Sequence, residues 1–120
     1  MRIEEHANDA AVVWALYGRL TGEASRLLER AVGRAARQGS SRIVVDLGGV
    51  WMIDAGGLGA LVTAYRASTT NEIALSLARV PARVRQLLTA TQLTKFLPIF
   101  DSVEGAGAYC PCSGSAAGSL

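Results

Sequence analysis

The stretch Asp46-Leu47-Gly48-Gly49-Val50-Trp51-Met52-Ile53-Asp54-Ala55-Gly56-Gly57-Leu58-Gly59-Ala60-Leu61 decides how this chain folds. Just ahead of it, Arg42-Ile43-Val44-Val45-Asp46-Leu47 is a β-branched apolar run of the kind a buried strand needs. Behind it, Leu58, Leu61, Val62 and Tyr65 recur at helical spacing and predict a helix with one face packed on that strand. Asp54 stands at the N-cap position, where a carboxylate accepts from the free N–H groups of the first turn. Gly56, Gly57 and Gly59 leave that turn without bulky side chains, so something flat or anionic can approach it closely.

Working outward, residues 10–16 read as a second strand ended by Gly18. A first strand begun by Met1-Arg2-Ile3-Glu4 pairs with it as a hairpin through a turn at residues 5–9. Residues 23–38 read as a helix capped by Thr21, with Leu27, Leu28, Ala31, Val32 and Ala35 as its apolar face. Arg26, Arg30, Arg34 and Arg37 form a basic stripe on another face. Gly39-Ser40-Ser41 releases the chain into the central strand, and a strand–helix–strand crossover makes its two strands parallel, with a right-handed connection. Downstream, Thr69-Thr70-Asn71 is a turn, residues 72–78 alternate as a strand, and Pro81 opens a helix running to about Ala90. Residues 96–100 make a short edge strand, because Pro98 cannot donate to a ladder. Asp101 or Ser102 is placed to cap a last helical turn through Glu104, and the Gly-, Ala- and Ser-rich remainder has little to bury. The expectation is one α/β domain over residues 1–108 and a mobile tail over residues 109–120. The sheet should be mixed and mostly parallel, of about five strands, with helices packed on it.

At 120 residues there is room for one modest core, and half of the residues are hydrophobic, which suits such a domain. A net charge of +2, with acidic residues interleaved among the arginines, argues against a nucleic-acid binder. No apolar run reaches membrane-spanning length without a glycine or a charge, and Met1 opens no signal-peptide pattern, so the expected location is cytoplasmic, with no membrane insertion. Two cysteines, Cys110 and Cys112, are too few for a disulfide framework.

Asp54-Ala55-Gly56-Gly57-Leu58-Gly59-Ala60-Leu61-Val62 resembles the signature of STAS domains, and among them of bacterial anti-sigma factor antagonists, whose usual form is Asp-Ser-Ser/Thr-Gly-Leu-Gly. Three more landmarks follow the same order. Leu16-Tyr17-Gly18-Arg19-Leu20-Thr21 is similar to Leu-x-Gly-Glu-Leu-Asp, Val80-Pro81-Ala82-Arg83-Val84-Arg85-Gln86-Leu87-Leu88 to the Ser-Pro-x-Val-x-x-Leu helix, and Thr91-Gln92-Leu93-Thr94-Lys95-Phe96-Leu97 to Ser-Gly-Leu-x-x-x-Phe/Ile. The resemblance implies the STAS topology, with the helices largely against one face of the sheet. It implies binding to an anti-sigma factor, often a histidine-kinase-like ATPase that is also a serine kinase. The surface would be the start of the Asp54 helix, with Ala55, Gly56, Gly57 and Leu58, the turn containing Gly18, Thr21 and Gly22, and Trp51 at its edge. In regulated members the serine after the aspartate is phosphorylated. Here Ala55 and Gly56 carry no hydroxyl, which implies a protein locked in its partner-binding form. Thr21 and Arg19 stand where the family has an aspartate and a glutamate, which points to a changed partner, acidic where the usual one is basic.

The remaining residues read more plainly. Asp46 caps or anchors the loop after the central strand. The arginine stripe is a solvated helix face, with an acidic surface or phosphates as the other reading. Gly56-Gly57-Leu58-Gly59 lacks the Lys-Ser/Thr of a Walker A motif and the spacing of a Rossmann turn, so no nucleotide cofactor is expected. His6 is a turn residue, and Cys110-Pro111-Cys112 holds two free thiols, since a closed zinc site wants four ligands and a disulfide at that spacing is strained. Trp14 and Trp51 are packing residues, Trp51 with the edge of the partner surface as its alternative. Ser25, Ser76 and His6 are scattered, with no nucleophile–base pair, metal set or paired carboxylates, so an interaction module is expected rather than an enzyme. Two further readings stay open. One is a scaffold in a stressosome-like assembly, the other the STAS subunit of a lipid-transporting ABC system. A homodimer fits any of them.

Overall fold

The computed structural model describes residues 2–7 and 11–101. Its elements run β1 (Arg2–Ala7), β2 (Val12–Leu20), α1 (Ala24–Arg37), β3 (Arg42–Ile53), α2 (Ala55–Thr70), β4 (Ala74–Ala78), α3 (Ala82–Ala90), a 3-10 turn (Leu93–Lys95) and β5 (Ile99–Phe100). The five strands form one mixed sheet in chain order, β1-β2-β3-β4-β5. β1 pairs antiparallel with β2, and the other three pairings are parallel, each bridged by a helix as parallel neighbours require. The STAS topology expected from the motifs is what forms.

Strand alternation sorts the apolar residues between two faces. Val12, Trp14 and Leu16 of β2, Ile43, Val45 and Leu47 of β3, and Leu75 and Leu77 of β4 pack in one cluster with residues of all three helices. Leu28, Ala31, Val32 and Ala35 face this core from α1, and Val84 and Leu88 from α3. Each fully buried Leu, Ile or Val contributes about 1.5–3 kcal/mol of transfer free energy, so this layer carries the fold. Trp14 is fully buried within it, and its indole Nε1 has no hydrogen-bond partner. An orphaned buried donor costs about 1–3 kcal/mol, which the surrounding apolar contact must exceed. The opposite face is polar toward β1, where the Tyr17 hydroxyl lies 3.4 Å from Glu4 Oε1 and the Arg2 guanidinium sits 4.5 Å over the Tyr17 ring.

Several expectations are corrected. Glu5, His6 and Ala7 belong to β1, not to a turn, and His6 lies 3.8 Å from the Glu4 carboxylate. Thr21 does not cap α1 through its side chain; Glu23 occupies the cap without a side-chain bond, and the Thr21 carbonyl accepts from Ala24 N–H. Leu27 is 49% exposed, and Ala24 takes the buried place instead. α2 continues through Thr70, consuming the expected turn, and β5 keeps only Ile99–Phe100. The buried stripe of α2 is Gly57, Ala60, Leu61, Ala64 and Ser68, because small residues let the helix lie close against α1. The cap expected at Ser102, Cys110, Cys112 and the tail over residues 109–120 lie outside the described residues.

The largest corrections concern the middle of the sheet. β2 does not end at Gly18 but passes through it at φ +103°, with a register shift, and resumes pairing at Arg19 and Leu20 opposite Met52 and Ile53. β3 likewise runs on to Ile53, while its pairing with β4 stops at Asp46. There Arg79, held at φ +53°, donates from Nε to Asp46 Oδ1 at 2.9 Å, and the same oxygen accepts from Gly48 N–H at 2.9 Å. Asp46 therefore anchors a strand in passing, not a loop. The bond from Asp46, and then its charge, raise the Arg79 pKa. The guanidinium lies so close over Gly48 that a side chain there would collide with it.

Gly18→Ala is expected to destabilise the domain by about 1–3 kcal/mol, because an L-residue at that φ is strained. Urea unfolding of the two proteins measures the difference, and a change below ~0.5 kcal/mol would mean that β2 can straighten at this point.

Candidate functional site

The start of α2 is built as its residues dictate. Asp54, extended at φ −117°, accepts from Gly57 N–H at 2.7 Å, and its carbonyl takes the first helical bond from Leu58 N–H at 3.0 Å. What fixes this helix start in space is a second segment, the turn from β2 into α1. Asp54 N–H lies 3.4 Å from the Leu20 carbonyl oxygen. A methyl group on Gly57 would strike that same carbonyl, and one on Gly56 would sit 2.7 Å from Gly22 N. The two segments thus meet backbone to backbone, which only glycine permits.

Of the residues expected to form a binding surface, Gly22, Asp54, Ala55 and Gly56 are exposed, and Gly18, Thr21 and Leu58 are half-buried. Gly57 is buried and is corrected from surface to support. Gly18 lies within β2, one strand residue before Arg19, not in the turn. Trp51 is corrected in the other direction. It is 67% exposed and packs no core, while Trp14 does. The Arg19 guanidinium stands 5.9 Å from the Trp51 ring centroid, and Met52, opposite Arg19 in the ladder, is 38% exposed. Met52 was not legible as a site residue. Its exposure follows from β3 outrunning β4, which no local pattern announces.

The resulting shelf carries one carboxylate, Asp54, already engaged by the helix, and one guanidinium, Arg19, over an indole. Neither residue 55 nor residue 56 supplies a hydroxyl. The other candidates disperse: Ser25 lies in α1, Ser76 is buried in β4 and His6 is on β1. Among the described residues, no group of three or more His, Cys, Asp or Glu gathers to hold a metal. The stripe Arg26, Arg30, Arg34 and Arg37 is exposed, with Arg34 meeting Glu5 of β1 at 3.1 Å. Such an exposed pair is worth about 0–1 kcal/mol. No helix among the described residues is long and apolar enough to cross a membrane.

The family model for the STAS domain matches residues 2–106. Among solved structures, the chain is similar to a candidate anti-sigma factor antagonist of Thermotoga maritima, at 22% identity and TM-score 0.76, covering 87% of this chain and 90% of that one. It is similar to an anti-sigma factor antagonist from Mycobacterium paratuberculosis, at 21% identity and TM-score 0.74, covering 88% and 89%. It is also similar to the anti-sigma factor antagonist SpoIIAA in its unphosphorylated form, at 18% identity and TM-score 0.63, covering 98% and 99%. At these identities the likeness shows the fold. No curated protein sequence matches the chain.

Asp54→Ala is expected to cost about 1 kcal/mol by removing the cap, and Asp54→Asn only a few tenths, since the amide oxygen still accepts from Gly57. Thermal unfolding distinguishes them; equal losses would show that charge, not the hydrogen bond, carries the cap. Acrylamide is expected to quench Trp51 but not Trp14. Quenching unchanged in Trp51→Phe would contradict the exposure described.

Proposed function

The chain belongs to the STAS domain family, and from that premise we propose that it is an anti-sigma factor antagonist, binding an anti-sigma factor through the start of α2 and thereby freeing a sigma factor. The observation that carries this reading is the open shelf at Asp54, Ala55 and Gly56, pinned against Gly22. It is nearly neutral, free of bulky side chains and held by close backbone contact, which suits a docking face that binds without large ordering costs. Trp51, three residues ahead of Asp54 in the chain, offers an exposed aromatic side chain of the kind that dominates binding energy. The chain acts by contact and not by catalysis, in the cytoplasm, with a protein partner and no cofactor.

Ala55 gives this reading its particular form. A phosphate there would add about −1.5 to −2 charge and three strong acceptors to a neutral contact. Without a hydroxyl at residue 55 or 56, a serine-kinase-like partner can dock on the shelf but cannot switch it off there.

The test is calorimetry with a serine-kinase-type anti-sigma factor, followed by incubation with ATP. Saturable binding with no phosphate on the chain is expected. Ala55→Glu should weaken binding on the order of a hundredfold, because a fitted contact then buries an unpaired charge, and Ala55→Ser should restore phosphate acceptance. Stoichiometric phosphate on the unaltered chain would sink the non-switchable form. A discrete large oligomer on size exclusion, with no binding, would replace antagonism by a scaffold role.

A further inference from the structure

On a part of the molecule that this function does not use, the second half of α2 and the 3-10 turn after α3 enclose a cleft of about 270 Å³, lined by Val62, Tyr65, Arg66, Leu93, Phe96 and Leu97. One wall follows from helical spacing: Val62, Tyr65 and Arg66 stand at i, i+3 and i+4 on one face of α2. The other is made by a change of chain direction. Gln92 adopts the left-handed conformation at φ +63°, and the 3-10 turn that follows brings Leu93 and Phe96 against α2. Leu97 is buried at 1% exposure, while Phe96 is 55% exposed, its ring tilted 47° to that of Tyr65 with centroids 6.0 Å apart.

Among the described residues, the charged groups at this cleft are all cationic. The Lys95 ammonium nearby is engaged by Gln92 Oε1 at 2.9 Å. Among the described residues, the Arg66 guanidinium and the Tyr65 hydroxyl have no polar partner and no carboxylate lines the cleft. The guanidinium can only donate and the phenol hydroxyl can donate as well as accept, so an apolar cleft edged by these two groups favours an amphiphile with an anionic end. Its size suits a single alkyl chain, and a single guanidinium matches one carboxylate in bidentate fashion.

We propose that this cleft binds a medium-chain monocarboxylate, the alkyl chain lying against Val62, Leu93, Phe96 and Leu97 and the carboxylate meeting Arg66 and the Tyr65 hydroxyl. The cleft lies toward the far end of α2 from Asp54, so the ligand neither needs nor competes for the docking shelf. Occupancy covers the exposed Phe96 ring and gives the guanidinium and the hydroxyl an acceptor.

The experiment is an amide NMR titration of the full chain with decanoate, kept below its micellar concentration, beside decanol and decyltrimethylammonium. Decanoate is expected to shift residues 62–66 and 93–97 saturably, decanol to bind roughly tenfold more weakly, and the cation to leave them unmoved. Arg66→Gln should weaken decanoate by about three- to tenfold and leave decanol unchanged; Phe96→Ala should weaken both. Both side chains are exposed, so the sheet resonances report that the variants stay folded. Equal responses to decanoate and the cation would overturn the proposal, as would shifts centred on Arg19 and Trp51. Absence of any saturable shift would overturn it too, since the cleft is then either unselective or already filled by residues beyond Asp101 or by a second copy.

Discussion

The contact on which this molecule depends is the meeting of two backbones, the start of α2 and the turn from β2 into α1. Gly57 lies against the Leu20 carbonyl and Gly56 against Gly22, closer than any side chain would allow. This contact does three things at once. It sets the height of α2 above the sheet, brings the small-residue stripe of α2 down on α1, and leaves Ala55 and Gly56 facing water. The bare helix start is thus a consequence of packing before it is a feature of binding. The glycines that permit the approach from within also strip the outer surface of bulk.

The second constraint acts at the other end of the same strand. β4 gives out at Ala78, yet β3 continues to Ile53 with β2 alone beside it. Asp46 is the point of transition. Its carboxylate takes both Gly48 N–H and the Arg79 guanidinium, so the chain that leaves β4 is tied to the strand it has just abandoned. Past that point Leu47, Val50 and Ile53 still face the core, but Trp51 and Met52 have no β4 beside them and become surface. Exposure of an indole here follows from strand lengths that differ between neighbours.

Much of this was legible in the sequence. The Asp54 cap, the central strand, the crossover helices and the family topology all followed from local pattern and motif order, because each rests on contacts close in sequence. The errors in the middle of the sheet share one cause. Gly18 reads as the end of β2, and the apolar run of β3 reads as ending at Leu47, whereas tertiary pairing carries both strands further. A glycine signals that the backbone does something unusual, but not whether the strand stops or bends. From that misreading came the misplacement of Trp51, taken for packing, and of Asp46, assigned to a loop. The cleft beneath Phe96 was illegible for a different reason: it depends on a left-handed Gln92, a residue type that gives no warning of that conformation.

The sheet order also bears on how the domain comes into being. Strands lie side by side in the sequence in which they are synthesised, so every strand after the first finds its neighbour already made. No strand must wait for a later one to insert beside it, and no early edge is held open for a distant segment. Each crossover closes over one helix and not over several elements, which limits the time that unpaired edges spend exposed. A nascent chain emerging from the ribosome could lay down this architecture from one side to the other, each hairpin or crossover locking as it clears the exit.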